Sequence, residues 1–169
     1  MIEVPEFKFA LREDLKNQEG FLPTKSEPSA TGWDVRCAES YGITIGEFKY
    51  VRISLGFRVF APHGWWLELR PRSSIHAKKH LNCLYGVIDE GFENICQFSC
   101  SFLPEPDEYT GYWVNDVKSI RIEFGERIGQ IIPVRRQNMI VSNISNEEYD
   151  RLCKERGGER GTGGFGSTG

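Results

Sequence analysis

An antiparallel all-β fold is what this chain predicts, on three observations. Apolar and polar residues alternate through much of its length, the alternating runs are short and separated by Gly- or Pro-bearing turns, and only two stretches carry helical signals. The clearest run interleaves Val51, Ile53, Leu55, Phe57 and Val59 with Arg52, Ser54, Gly56 and Arg58, the period of a strand with one buried face. Ala61-Pro62-His63-Gly64 is the turn that follows it. Trp65, Leu67 and Leu69 against Glu68 and Arg70 form the next strand. Ser73 to Lys79 is predicted as about two turns of helix, with Ser73 or Ser74 as cap and Lys78 and Lys79 at the C-terminal end. Gly86-Val87-Ile88 then runs as a strand into Asp89 and a glycine turn, as in a β-hairpin. Cys96, Phe98, Cys100 and Phe102 alternate with Gln97, Ser99 and Ser101, and Ile120, Ile122 and Phe124 with Arg121 and Glu123, adding two more strands. Between them Leu103 to Ser119, with Pro104, Pro106 and Gly111, is a long loop or insertion. Ser145-Asn146-Glu147-Glu148 has capping-box spacing ahead of a helix over Tyr149 to Glu155, which Gly157 and Gly158 stop.

A length of 169 residues allows one well-filled core, so the expected organisation is a β core over 1–156 and a glycine-rich arm over 157–169. Charged residues make up 27% and hydrophobic ones 39%, with a mean hydropathy of −0.43. No apolar run approaches membrane-spanning length and no signal-peptide pattern is present, which points to a cytoplasmic protein with no membrane partner. The net charge of −3 argues against nucleic acid as a partner, because that binding is driven by phosphate neutralisation over a basic surface. Any phosphate it binds is small and locally held. Five cysteines, an odd number without CxxC spacing, read as reduced and mostly buried thiols. His76 and His80 share a helical spacing but have no third ligand, so zinc is not expected.

The tail from Arg160 to Gly169 holds five glycines together with Arg160, Phe165, Ser167 and Thr168. Glycines let backbone N–H groups turn toward an anion, the guanidinium matches phosphate oxygens, the hydroxyls add donors, and the ring offers a face to a base. Taken alone, such composition also describes a flexible terminus. Four further segments combine small residues with charge: Ala30-Thr31-Gly32-Trp33-Asp34-Val35, Pro71-Arg72-Ser73-Ser74, Gly86-Val87-Ile88-Asp89-Glu90-Gly91-Phe92, and Gly125-Glu126-Arg127-Ile128-Gly129-Gln130. Arg72-Ser73-Ser74 at a helix start is a candidate anion seat, and Asp89 at a pocket rim is a candidate base toward water. The bland readings are a capped helix with a surface arginine, and a turn aspartate.

Together, in this order, the five segments resemble the motifs of the trimeric dUTPase family, from Leu22-Pro23-Thr24 to Gly169. The resemblance implies a jelly-roll-like subunit, a homotrimer with active sites between subunits, closure by the C-terminal arm, and Mg²⁺-dependent hydrolysis of dUTP to dUMP and pyrophosphate. It implies that Asp89 is the carboxylate that deprotonates the attacking water and that Asp34 reaches the metal through water. Arg72, Ser73, Ser74 and Gln130 match phosphate contacts, as do Arg160, Ser167 and Thr168 in the arm. Gly86, Val87, Ile88 and Phe92 match the base- and sugar-binding segment, and Phe165 the ring that covers the base. The third motif departs from the family's Ile-Asp-x-Asp-Tyr-x-Gly, reading Ile88-Asp89-Glu90-Gly91-Phe92-Glu93-Asn94. Ile-Asp-x-Gly-Phe is similar to the related dCTP deaminases, but Ile95 to Phe102 lacks the carboxylate that deamination needs. Two alternatives stand beside dUTP hydrolysis. One is a triphosphate pyrophosphatase of altered base choice, taking dCTP or a modified deoxyuridine nucleotide. The other is a regulatory module meeting a protein partner through 103–119, where Tyr109, Tyr112 and Trp113 lie.

Overall fold

The computed structural model describes residues 4–43, 50–79, 81–102 and 120–156. These divide into two units, Met1–Arg136 and Gln137–Gly169. Among the described residues the first unit is all-β apart from a 3-10 turn at Glu13–Leu15 and one helix, α1 (Ser73–Lys79). Its widest sheet sets β2 (Trp33–Arg36), β11 (Arg127–Arg135), β6 (Trp65–Pro71) and β8 (Gly86–Ile88) side by side in that order. A second sheet orders β4 (Tyr50–Ser54), β9 (Gln97–Phe102) and β7 (Leu81–Cys83). Two-stranded pairs join β1 (Lys8–Leu11) to β5 (Phe57–Phe60) and β10 (Ile120–Ile122) to β3 (Tyr41–Ile43). Every pairing is antiparallel. The inner faces of both larger sheets meet in one core, with Leu67, Leu69 and Ile131 from one and Ile53, Phe98 and Leu81 from the other. Among the described residues no helix is long and apolar enough to cross a membrane.

Both predicted helices are present. The second, α2 (Asn146–Arg156), lies in the second unit and is capped as its sequence predicts: the Ser145 hydroxyl accepts from the Glu148 N–H at 3.2 Å.

Four expectations need correction. The run Val51–Val59 is two strands in two sheets, because Gly56 turns between them with φ +71° and the space a Cβ would need is filled by Leu15 and Ala38. Phe124 is in a turn before Gly125 (φ +78°), where its ring meets Phe21 at 4.9 Å, rather than in a strand. No β-hairpin closes around Asp89: β8 pairs with β6, while the returning chain is taken by the β4–β5 junction, where the Cys96 N–H donates to Phe57 O and the Leu55 N–H to Cys96 O, each at 2.9 Å. Lastly, Cys83 and Cys100, directly opposed across β7 and β9, form a disulfide with Cα atoms 4.0 Å apart. Cys37 and Cys96 remain buried thiols, which burial pushes up to about 11 and about 12 respectively, and Cys153 is an exposed one.

Candidate active site

Three neighbouring strands align a row of polar side chains. Gln130 on β11 sits opposite Asp34 on β2 and opposite Arg70 on β6. Along β11 a register shift between Arg127 and Gly129 leaves Ile128 as an extra residue against β2. A bulge of this kind re-aims side chains. Ile128 and Ile131 enter the core while Arg127 and Gln130 stay half-exposed or exposed beside Asp34. Gly129 has no room for a side chain, since a Cβ there would lie 2.8 Å from the Arg70 carbonyl and closer still to the Phe98 ring. β6 ends at Pro71, the Arg72 N–H donates to Ile128 O at 3.0 Å, and α1 starts at Ser73. The result is a cleft of about 480 Å³ lined by Gly32, Asp34, Arg70, Arg72, Ser73, Tyr85 and Gln130 with their neighbours.

Asp34 organises this cleft. It is the one buried charged side chain among the described residues, 8% exposed. Its Oδ1 accepts from Arg72 Nη1 at 2.6 Å and its Oδ2 from Arg127 Nη1 at 3.1 Å. One carboxylate therefore holds two guanidiniums, of which Arg72 lines the cleft, and the trio carries a net single positive charge. Gly32 lies under the Gln130 side chain: a Cβ there would be 2.9 Å from Gln130 Cδ. Arg70 is ion-paired with Glu68 at 2.7 Å, which raises its already high pKa, and its guanidinium lies over Tyr85 at 5.1 Å. Such a cleft can bind a polyphosphate through guanidiniums, a hydroxyl and an amide. Among the described residues no cluster of three metal-binding side chains exists. A single carboxylate beside a phosphate seat suits Mg²⁺, which keeps most of its waters and takes phosphate oxygens, rather than a metal caged by protein.

The cleft brings together Asp34, Arg72, Ser73 and Gln130. Ser74 lies in the first turn of α1 and does not line it. Asp89 is elsewhere. It follows β8 in a turn closed by the Phe92 N–H donating to Asp89 O at 3.1 Å, and lines a separate hollow of about 320 Å³ with Trp65, Trp66, Val87, Glu90, Gly91 and Arg136. Val87 is exposed and Ile88 is buried in the core, so Ile88 meets a ligand only through its backbone. β8 is the outer strand of its sheet, and no described strand pairs with its other edge, which leaves main-chain donors and acceptors of 86–88 facing outward. Phe92 turns to a third hollow, with Phe9 and Phe60. Arg160, Phe165, Ser167 and Thr168, and the segment 103–119, lie outside the described residues.

Sequence reasoning gave Arg127 no role, although it lies inside a segment singled out. The alternation around it is broken by the bulge, so no period shows that it and Gln130 share a side. Arg70 and Tyr85 were missed as cleft residues because each alone reads as an ordinary strand or turn residue.

Residues 18–169 match the sequence profile of the dUTPase family. The chain is 30% identical over 164 residues to a deoxyuridine 5'-triphosphate nucleotidohydrolase of Hydrogenobaculum sp., covering 94% of each chain. It is 29% identical over 160 residues to one of Candida albicans, covering 95% of this chain and 88% of that one. In three dimensions it is similar to a Staphylococcus bacteriophage 80alpha dUTPase with dUpNHpp, with a TM-score of 0.73, 23% identity, and 97% and 98% of the two chains covered. A dUTPase from phage phi11 of S. aureus, described with a structural Mg(II) ion, matches with a TM-score of 0.65 at 17% identity, over 83% of this chain and 97% of that one. The structural likenesses show the jelly-roll-like fold, and the sequence match shows the family: the chain belongs to the dUTPases.

Proposed function

We propose that this protein hydrolyses dUTP to dUMP and pyrophosphate, in sites shared between copies of a homotrimer. The observation that carries this reading is the pair of separate half-sites: a cationic phosphate cleft around Asp34 and an open strand edge ending in Asp89, in different hollows of one chain. A second copy supplies what each half lacks. The segment after β11 supports association, since Met139, Ile140 and Val141 are exposed and apolar.

In the assembled site Arg72, Arg127, Ser73 and Gln130 bind and orient the phosphate chain. Their positive charge stabilises the charge that develops on it, which matters more here than covalent chemistry. Asp89 accepts a proton from a water molecule as that water attacks the α-phosphorus and the bond to the bridging oxygen breaks, releasing pyrophosphate. Asp34 would hold a Mg²⁺ through water, and the ion would supply further neutralisation of the triphosphate. The backbone edge at 86–88 reads the base, Phe92 packs the sugar, and the arm residues Arg160, Phe165, Ser167 and Thr168 close over the nucleotide, with 157–169 acting as a lid on the 1–156 core.

The test is pyrophosphate release from dUTP, dCTP, dTTP and UTP in parallel with Mg²⁺, with Asp89→Asn as control. Cleavage of dUTP alone, lost in the variant by about 10²–10⁴-fold, is the expected outcome. Cleavage of dCTP would make Gly91 and Asn94 a change of base choice. No cleavage of any would favour the regulatory reading, with 103–119 as its surface.

A further inference from the structure

The turn that carries Asp89 is held by the side chain next to it. Glu90 Oε1 is 2.8 Å from His63 Nδ1, and Oε2 accepts from the Gly64 N–H at 2.9 Å and from Arg136 Nη1 at 3.0 Å. An ionised carboxylate only accepts, so in this arrangement Nδ1 of His63 carries a proton. The Arg136 N–H also donates to Gly64 O at 2.8 Å, which closes a ring through Glu90, Gly64 and Arg136. His63 and Gly64 form the turn before β6, and Arg136 follows β11, the strand that carries Arg127 and Gln130. The preceding residues are fixed differently: Gly86, Val87 and Ile88 are paired in register with Leu69, Glu68 and Leu67 of β6. Beyond Ile88 that ladder stops, and the Asp89–Phe92 turn depends on its one internal hydrogen bond and on Glu90.

We propose that Glu90 is a positioning residue for the hydrolysis, fixing the 89–92 turn against Gly64 and Arg136 so that the Asp89 carboxylate points in one direction. The role rests on the reading of Asp89 as the base. It matters because charge-assisted bonds give directional restraint, and a misplacement of about 1 Å at a reacting group costs up to about 10²-fold in rate. The Gly64 N–H first, and His63 next, hold the Glu90 carboxyl below the usual carboxylate range, so the restraint is in place at neutral pH.

The experiment is steady-state hydrolysis of dUTP by Glu90→Ala, Glu90→Gln, Arg136→Gln, the double variant Glu90→Gln/Arg136→Gln, and Asp89→Asn, with melting temperature and mass in solution recorded for each. Loosening the turn while 86–88 stay paired with β6 should fall on kcat. The expected result is a loss of kcat of about tenfold or more in Glu90→Ala, with a smaller rise in KM because Phe92 lies in the same turn. Glu90→Gln, which keeps an acceptor for the Gly64 N–H, should recover part of that rate. The double variant should lose less than the product of the two single losses, because both act on one contact. If Glu90→Ala does not fold, Glu90→Gln and Arg136→Gln carry the same comparison. Wild-type kcat in the folded Glu90 variants beside an inactive Asp89→Asn would overturn the positioning role alone. Turnover retained by Asp89→Asn would overturn the base assignment and this role with it.

Discussion

Replacing Asp34 by Asn isolates the charge that holds two arginines together in the cleft. The variant keeps size and one oxygen but places an NH₂ donor against a guanidinium donor, on the side of either Arg72 or Arg127. A hydrogen bond to a charged group contributes about 1.5–3 kcal/mol, and Asp34 makes two. The acid is 8% exposed, but the side chains of Arg72 and Arg127 are 35% and 45% exposed, so water recovers part of their solvation. Discounting for that leaves a net loss of about 2 kcal/mol. For a chain of this size that corresponds to a melting temperature lower by about 4–8 °C, compared at one protein concentration because an oligomer's midpoint depends on it. The same substitution acts oppositely on anions. With a chelator present, inorganic tripolyphosphate should bind about tenfold more tightly, since a unit charge roughly 6 Å away is worth nearly 3 kcal/mol at an effective dielectric of about 20, before salt screening. Calorimetric titration with tripolyphosphate and a thermal melt suffice. An unchanged melting temperature together with unchanged or weaker tripolyphosphate binding would show that Asp34 does not hold the two guanidiniums in the way described.

Gly32→Ala places a methyl where the Gln130 side chain lies, so the amide must swing away; KM for dUTP should rise several-fold while stability changes by less than about 1 kcal/mol, and an unchanged KM would remove Gln130 from the phosphate seat. Ending the chain at Arg156 removes 157–169 and should abolish turnover while the melting temperature of the β core stays; unchanged kinetics would refute the lid. Glu90 has a lowered folded pKa, so its stabilisation is present above its unfolded value and is lost as pH falls through the lower folded one. The melting temperature of the parent should therefore exceed that of Glu90→Gln at pH 7, with the gap closing in acid below the carboxylate range; a gap independent of pH would exclude the ionised clamp. Thiol titration without reductant should find Cys153 in the native protein, three thiols after unfolding, and all five only after reduction; five without reductant would rule out the Cys83–Cys100 bridge.

The strands were readable because each lies with one face on the core, and that burial writes a period of two into the sequence. The same rule concealed the break at Gly56. Leu55 and Gly56 link β4 to β5 without disturbing the alternation, so nothing local shows that Ile53 and Phe57 belong to different sheets. The choice is made by Leu15 and Ala38, distant in sequence, which occupy the space beside Gly56. Period failed in the other direction at Arg127, where the bulge shifts it. The disulfide was missed for a related reason: Cys83 and Cys100 are 17 apart, and only the register of β7 on β9 sets them opposite each other.

The cleft's chemistry explains why composition understated it. A seat for several phosphate charges needs clustered cations, yet two guanidiniums this close repel each other when no anion is bound. Asp34 answers that by sitting between Arg72 and Arg127, nearly buried, with one oxygen for each. The site therefore carries its own internal counter-charge, and its two arginines and one carboxylate together add only a single positive charge to a chain whose net charge is −3. A phosphate chain entering the cleft competes with the Asp34 carboxylate for the same donors. Asp34, which the motif links only to a metal, thus also holds Arg72 and Arg127 in place before any ligand arrives, Arg72 in the cleft lining and Arg127 beside it through the shared carboxylate.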